Sequence, residues 1–194
     1  MIRFFDILFS ILGLIILTPF LIIIALFIIC TSKGNIFYIQ KRVGKNSKDF
    51  TLFKFRTMHA KADEKGLLTV GERDARVTEV GYFLRKYKLD ELPQLVNVLL
   101  GNMSFVGPRP EVRKYVDLYN DAQKRVLAVR PGVTDYASIA FKDENQLLAQ
   151  SFQPEKLYIE KIMPQKLQLS LCYIETASLK EYFKILFLTI KSIF

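Results

Sequence analysis

Histidine and cysteine are scarce in this chain, and acidic residues are outnumbered. His59 is the only histidine, which excludes a histidine-rich metal site and a Ser-His-Asp arrangement drawn from several histidines; a lone histidine is usually structural. The two cysteines, Cys30 and Cys172, lie far apart. They offer neither a disulfide framework nor zinc-ligand spacing, and suit a reducing compartment. There is no internal repeat and no low-complexity tract. Nineteen Asp and Glu stand against 28 Lys and Arg, a net charge of +9. Anionic lipid head groups are the natural partner for that excess and nucleic acid the competing one. No recognised nucleic-acid motif occurs, and the apolar front of the chain argues against that partner.

Charge is missing most conspicuously from Phe4 to Cys30, where Asp6 is the single exception. This run is long enough to cross a hydrocarbon core as a helix. It is too long for the apolar part of a secretory signal and no small-residue cleavage site follows it, so the mature protein is expected to keep it. Thr18-Pro19 near its middle predicts a bend, with the hydroxyl able to satisfy freed backbone groups. Arg3 precedes the run, and Lys33, Lys41, Arg42, Lys45 and Lys48 follow it. Positive flanks on both sides suit two cytoplasmic ends. On the residues alone a kinked span and a re-entrant element both stay open.

What the chain does have is concentrated between Lys88 and Glu111. Leu92, Leu95, Val96 and Leu99 fall on one helical face with Gly101 as the stop. Asp90 is the expected N-cap, and Pro93 sits in the first turn where its missing N–H is no loss. Carboxylates there are favoured by the helix dipole, and the same end attracts phosphate and a phosphate-bound divalent cation. Asp90 is thus open to three readings: nucleophile, metal ligand or plain cap. Gly107-Pro108-Arg109-Pro110 then holds a guanidinium on a rigid turn, a geometry suited to a pair of phosphate oxygens.

Elsewhere, Ile36–Arg42 and Phe50–Arg56 read as a β-hairpin across a turn-rich link. Lys54, Arg56 and His59 cluster at its end, either as a solvated basic edge or near phosphate. Residues 60–76 read as a long loop with a helical start. Thr78 caps a short helix to Lys86 that carries Arg85. A polar helix is expected over Glu111–Val126, and helical structure from Pro154 onward. Arg130 precedes another rigid turn. Leu179–Phe194 reads as an amphipathic helix for the membrane interface or for core packing.

These residues carry a resemblance. Gln40-Lys41-Arg42-Val43-Gly44, Lys54-Phe55-Arg56-Thr57-Met58, Asp74-Ala75-Arg76-Val77-Thr78, Leu89-Asp90-Glu91-Leu92-Pro93-Gln94, Gly107-Pro108-Arg109-Pro110 and Arg130-Pro131-Gly132-Val133-Thr134 occur in order. Together they resemble the bacterial initiating sugar transferases, the monotopic phosphoglycosyl transferases, over nearly the whole chain. The length suggests the small form of that family.

The resemblance implies an α+β, mostly helical fold. Residues 1–32 would form a re-entrant membrane helix broken at Thr18-Pro19, and 33–194 a membrane-associated catalytic domain on the cytoplasmic face of the inner membrane. It implies sugar-1-phosphate transfer from a UDP-sugar to undecaprenyl phosphate through an aspartyl-phosphosugar on Asp90. Magnesium would be held by Asp90. Glu91 would orient the site or manage protons, with Arg85, Arg109, Arg130, Lys54 and Arg56 near phosphates or nucleotide. A non-catalytic scaffold for glycan assembly and a one-step metal-dependent transfer are the competing readings. A homodimer is open. The segment Asp135–Asp143 departs from many relatives, which leaves the donor sugar unnamed.

Overall fold

The computed structural model describes residues 1–59, 62, 71 and 74–193, with the side chain of Ile193 left out. The loop expected over 60–76 therefore lies mostly outside the described residues, as does Phe194. The architecture is α+β and mostly helical. It opens with one long helix, α1 (Ile2–Thr31). An antiparallel hairpin follows, β1 (Phe37–Val43) paired with β2 (Asp49–Phe55), with Phe37 opposite Phe55 and Val43 opposite Asp49. Next come α2 (Glu79–Lys86), α3 (Gln94–Leu100) and β3 (Ser104–Val106). Then come α4 (Arg113–Val116), α5 (Asp121–Lys124), a 3-10 turn over Arg125–Ala128 and β4 (Gly132–Thr134). The chain finishes with α6 (Tyr136–Ala140), α7 (Glu144–Ala149), α8 (Pro154–Leu157), a π-helical turn (Tyr158–Ile162), α9 (Met163–Thr176) and α10 (Leu179–Ile193).

Local chemistry explains most boundaries. Thr78 caps α2, its hydroxyl accepting from the Gly81 N–H at 2.9 Å. Gly101 ends α3 in the left-handed region at φ 87°, which glycine adopts without penalty. The polar helix expected over Glu111–Val126 is instead α4, α5 and a 3-10 turn. Asn120 breaks it by starting a new helix, with its side chain and that of Gln123 forming a reciprocal capping box. Strands β3 and β4 pair in parallel, Ser104 beside Gly132 and Val106 beside Thr134. A Cβ at Gly132 would lie 2.1 Å from the Gly107 nitrogen, so this approach of two backbones requires glycine.

Helix α1 corrects the expectation of a helix, a break and a second helix. Helical structure runs unbroken through Thr18-Pro19, and the Thr18 hydroxyl donates to the Leu14 carbonyl at 2.5 Å. Proline frees the Ile15 carbonyl, whereas the Thr18 bond goes to Leu14 one position earlier, so the hydroxyl does not replace the lost backbone bond.

The side chains of α1 are arranged inside-out relative to a water-soluble helix. Asp6 and Ser10 are buried against the rest of the protein, whereas Ile15, Ile16, Leu26 and Phe27 are more than half exposed. The Asp6 carboxylate accepts from Ser104 Oγ at 3.0 Å, the Phe105 N–H at 3.1 Å and the Tyr182 hydroxyl at 2.9 Å. Arg3 donates to the carbonyls of Val98 and Leu99 at 2.5 and 2.8 Å, satisfying the end of α3. Near the far end of α1, Ile24 and Ile28 join Phe55 and Leu84 in one buried cluster. The helix thus meets the folded body towards both of its ends, through Arg3 and Asp6 at one and Ile24 and Ile28 at the other.

Asp6→Ala removes one acceptor and strands three buried donors. We expect a loss of about 2–4 kcal/mol, the scale of a buried charged hydrogen-bond network, read as a lower Tm in detergent. Tyr182→Phe should lose less, and a wild-type Tm for Asp6→Ala would contradict the network's role.

Candidate active site

The acidic pair sits on a single 3-10 turn, Leu89–Glu91. Lys88, in a left-handed conformation at φ 56°, turns the chain sharply after α2. Leu89 and Leu92 then pack against the cluster of Ile24, Ile28, Phe55 and Leu84. With both flanking leucines committed to that core, Asp90 and Glu91 line a cavity of about 630 Å3. Asp90 is therefore not the N-cap of α3, as its sequence position suggested. Helix α3 starts at Gln94, after Pro93, and no side chain caps it. The left-handed Lys88 gives the acids a turn of their own.

The two carboxylates have opposite surroundings. Glu91 accepts from Lys54 Nζ at 2.8 Å and takes both terminal nitrogens of Arg109, Nη1 onto Oε2 at 3.3 Å and Nη2 onto Oε1. Burial alone would push its pKa up, but Arg109 and Lys54 together hold it well below the usual carboxylate range. Burial lowers the Lys54 ammonium pKa, an effect that Glu91 opposes. Arg109 is pushed up by Glu91. Its side chain keeps 38% exposure, leaving donors for a ligand.

Asp90 is buried, with 7% of its surface exposed. Among the described residues its carboxylate receives no hydrogen bond. Burial pushes its pKa up, and attraction to Lys54 only partly opposes this. Arg85 lines the same cavity, with Nε donating to the Thr57 hydroxyl at 2.9 Å. Burial lowers the Arg85 pKa and Asp90 works against that shift.

The cavity brings together Lys54, Arg85, Asp90, Glu91 and Arg109. It does not include Arg56 or Arg130. Arg56 is buried with Nη2 donating to the carbonyl and hydroxyl of Ser32 at 2.7 and 2.8 Å, so it fastens the exit of α1. Strand alternation would put Lys54 and Arg56 on one face, but Arg56 lies just beyond the end of β2, where alternation no longer governs its direction. Arg130 donates through Nε to the Gly101 carbonyl at 2.9 Å, bracing the end of α3.

Sequence reasoning missed several wall residues. Lys88 was passed over because nothing in the sequence marks its left-handed backbone. Glu144 and Lys166 pair at 2.5 Å on the cavity wall, 22 residues apart in the chain. Thr189 and Ser192 bring α10 to the same wall. Such meetings arise from tertiary packing, and no local spacing announces them.

Among the described residues no three metal-ligating side chains converge. A magnesium ion needs less, since it takes one or two carboxylates and completes its shell with substrate phosphates and water. With Glu91 already neutralised by two cations, Asp90 is the acid left open to such an ion. The residues fit magnesium shared with a bound diphosphate and do not fit an all-protein cage.

Comparisons with known proteins agree with this setting. The family model described as Bacterial sugar transferase matches residues 1–194. The UDP-glucose:undecaprenyl-phosphate glucose-1-phosphate transferase of Klebsiella pneumoniae is 36% identical over 191 residues, covering 97% of this chain and 39% of that protein. The UDP-N-acetylgalactosamine-undecaprenyl-phosphate N-acetylgalactosaminephosphotransferase of Aeromonas hydrophila is 38% identical over 140 residues, 71% of this chain and 33% of its own length. The exopolysaccharide production protein ExoY of Sinorhizobium fredii is 38% identical over 157 residues, 73% of this chain and 70% of its own length. The chain thus spans 39% and 33% of the lengths of the first two relatives.

A carboxylate whose folded pKa is raised costs stability wherever it is ionised, and the cost disappears as pH falls below its unfolded value, about 3.9. Asp90→Asn removes that cost. We expect its Tm at neutral pH to exceed wild type by a few degrees, with the gain vanishing in acid. A lower Tm would mean that Lys54 and Arg85 hold Asp90 in a net favourable contact.

Proposed function

The chain belongs to the bacterial sugar transferase family, and we propose that it transfers a sugar-1-phosphate from a UDP-sugar to undecaprenyl phosphate, releasing UMP, by two displacements on Asp90. The observation that carries this reading is the contrast between neighbouring acids. Glu91 is neutralised by Lys54 and Arg109, while the buried Asp90 carboxylate faces the cavity without a hydrogen bond. A largely buried carboxylate with no hydrogen-bond donor is costly to maintain and is a ready nucleophile towards a phosphorus atom brought to it.

In the first displacement an Asp90 oxygen attacks the β-phosphorus, which bears the sugar. The bond from that phosphorus to the bridging oxygen breaks, and UMP leaves with the electron pair. In the second, a phosphate oxygen of undecaprenyl phosphate attacks the same phosphorus and the Asp90 carboxylate departs. Both nucleophiles are anions, so neither step takes a proton from the protein. Arg85 and Arg109 offer the donors that stabilise charge on the transferring group, and Lys54 adds a nearby cation. Glu91 positions Arg109 and Lys54. Magnesium, when bound at Asp90, supplies charge neutralisation to the diphosphate.

The protein is membrane-associated, and the lie of α1 supports a monotopic attachment at the cytoplasmic face of the inner membrane. A helix of this length extends about 45 Å at the usual rise. Arg3 at one end and Ser32 at the other both bond to the same folded body. A helix that crossed the bilayer would carry one end away from it. The exposed apolar side of α1 suits lipid tails, while Asp6 faces inward, as charged groups in membrane segments do.

Mixing wild type with a UDP-sugar before any acceptor is added should give a burst of UMP equal to the enzyme concentration, and a mass increase of one phosphosugar on Asp90. Asp90→Asn should give neither. The burst rate should fall in acid with a midpoint above the ordinary carboxylate value of about 3.9, because Asp90 must be ionised. Steady turnover with acceptor but no burst and no adduct would instead favour one-step transfer.

A further inference from the structure

The cavity wall is mixed in character. Asp90, Arg85 and Arg109 make up its charged part, and Leu92, Leu95, Phe105 and Val133 belong to its apolar part. A nucleoside diphosphate sugar offers little that could use so much apolar wall. This apolar part is also where the two membrane-facing helices arrive. Leu95 lies against α1, since a Cβ on Gly13 would stand 3.3 Å from Leu95 Cδ1. Phe105 meets the Phe9 ring edge-on at 6.4 Å, and Phe9 meets Phe183 of α10 at 6.3 Å.

Helix α10 has one side on the cavity and another exposed. Thr189 and Ser192 line the cavity, with Thr189 Oγ1 hydrogen-bonded to Thr134 Oγ1 at 2.8 Å. Phe187 and Ile190 on the same two turns are 67% and 59% exposed, and the start of α10 meets α1 where Phe183 packs on Phe5 at 5.1 Å. Helix α10 therefore carries exposed apolar side chains on the turns whose other side lines the cavity with Asp90.

We propose that the lipid acceptor enters between α1 and α10, its first isoprene units lying on Leu95 and Phe105 and its phosphate passing Thr189 and Ser192 towards Asp90. This rests on the transfer reading above and adds the route and the residues that recognise the chain. A lipid chain is the occupant with the matching chemistry, since it is apolar along its length and ends in an anion that the charged part attracts. The route also gives each substrate its own part of the cavity, the donor the charged part and the acceptor's chain the apolar part.

The test uses the full chain in nanodiscs and separates the two half-reactions. Phe105→Ala removes part of the chain's resting surface, and Ser192→Trp narrows the passage at a site on the last turn of α10 where folding is little affected. We expect both variants to keep the wild-type UMP burst with UDP-sugar alone. Both should raise the KM for undecaprenyl phosphate about tenfold, the scale of one aromatic side chain's apolar contact. With geranyl phosphate, whose chain is too short to use much of the apolar wall, Phe105→Ala should raise KM less. A wild-type KM for undecaprenyl phosphate in both variants would overturn the route, as would a loss of burst in step with turnover. If wild type itself turns over without a burst, the covalent intermediate fails, and the acceptor KM still decides the route.

Discussion

The ionic cluster on Glu91 sets the rest of the site. One carboxylate from the turn after α2 gathers a lysine from β2 and an arginine from the Gly107–Pro110 turn. Three segments distant in sequence are thereby fixed around one point, and two cations that would repel each other are held side by side. An ion pair buried to this degree is seldom a large net source of stability, because desolvation takes back most of the attraction. Its value here is geometric. It uses up the charge of Glu91 and leaves its neighbour Asp90 without a hydrogen-bond donor of its own at the cavity.

That division between adjacent acids depends on backbone shape as much as on charge. Had the pair capped a long helix, both carboxylates would have been drawn to free N–H groups at its end. The left-handed Lys88 and the leucines on either side hold the acids on a short separate turn. Leu89 and Leu92 share their cluster with Ile24 and Ile28, so the same apolar contact that seats α1 also seats the acidic turn. Membrane attachment and chemistry are joined through a handful of aliphatic side chains.

Much of this was legible in the sequence where it depended on local rules. The Thr78 cap, the hairpin, the Gly101 stop and the amphipathic C-terminal helix follow from capping, alternation and periodicity. The motifs carrying Lys54, Arg85, Asp90, Glu91 and Arg109 do meet at one cavity. One reading failed for a physical reason: Asp90 resembled a cap because spacing cannot reveal a left-handed residue two positions earlier. Arg56 and Arg130 lie off the cavity wall and bond to nearby backbone; a cation beside a motif looks alike in sequence whether it meets substrate or a backbone carbonyl. Thr18-Pro19 resembled a break, yet the threonine hydroxyl accompanies a helix that continues. Glu144, Lys166 and Phe105 gave no signal, since their meeting is set by packing between distant elements. Asp6 did give one: a lone charge in an apolar run must find partners, though not which ones.

The bond between Asp6 and the Tyr182 hydroxyl joins residues 176 positions apart, and this has a consequence for biogenesis. At common rates of translation, roughly 5–20 residues per second, the acid waits on the order of ten to thirty-five seconds before its last partner is made. During that interval α1 would rest in lipid or with a chaperone, its carboxylate still without that partner. The cavity wall supplied by α10 is likewise missing until that helix emerges. A nascent chain of this protein would therefore meet the membrane through α1 before its site is complete, so that a product cut off before α10 would occupy membrane without acquiring that wall.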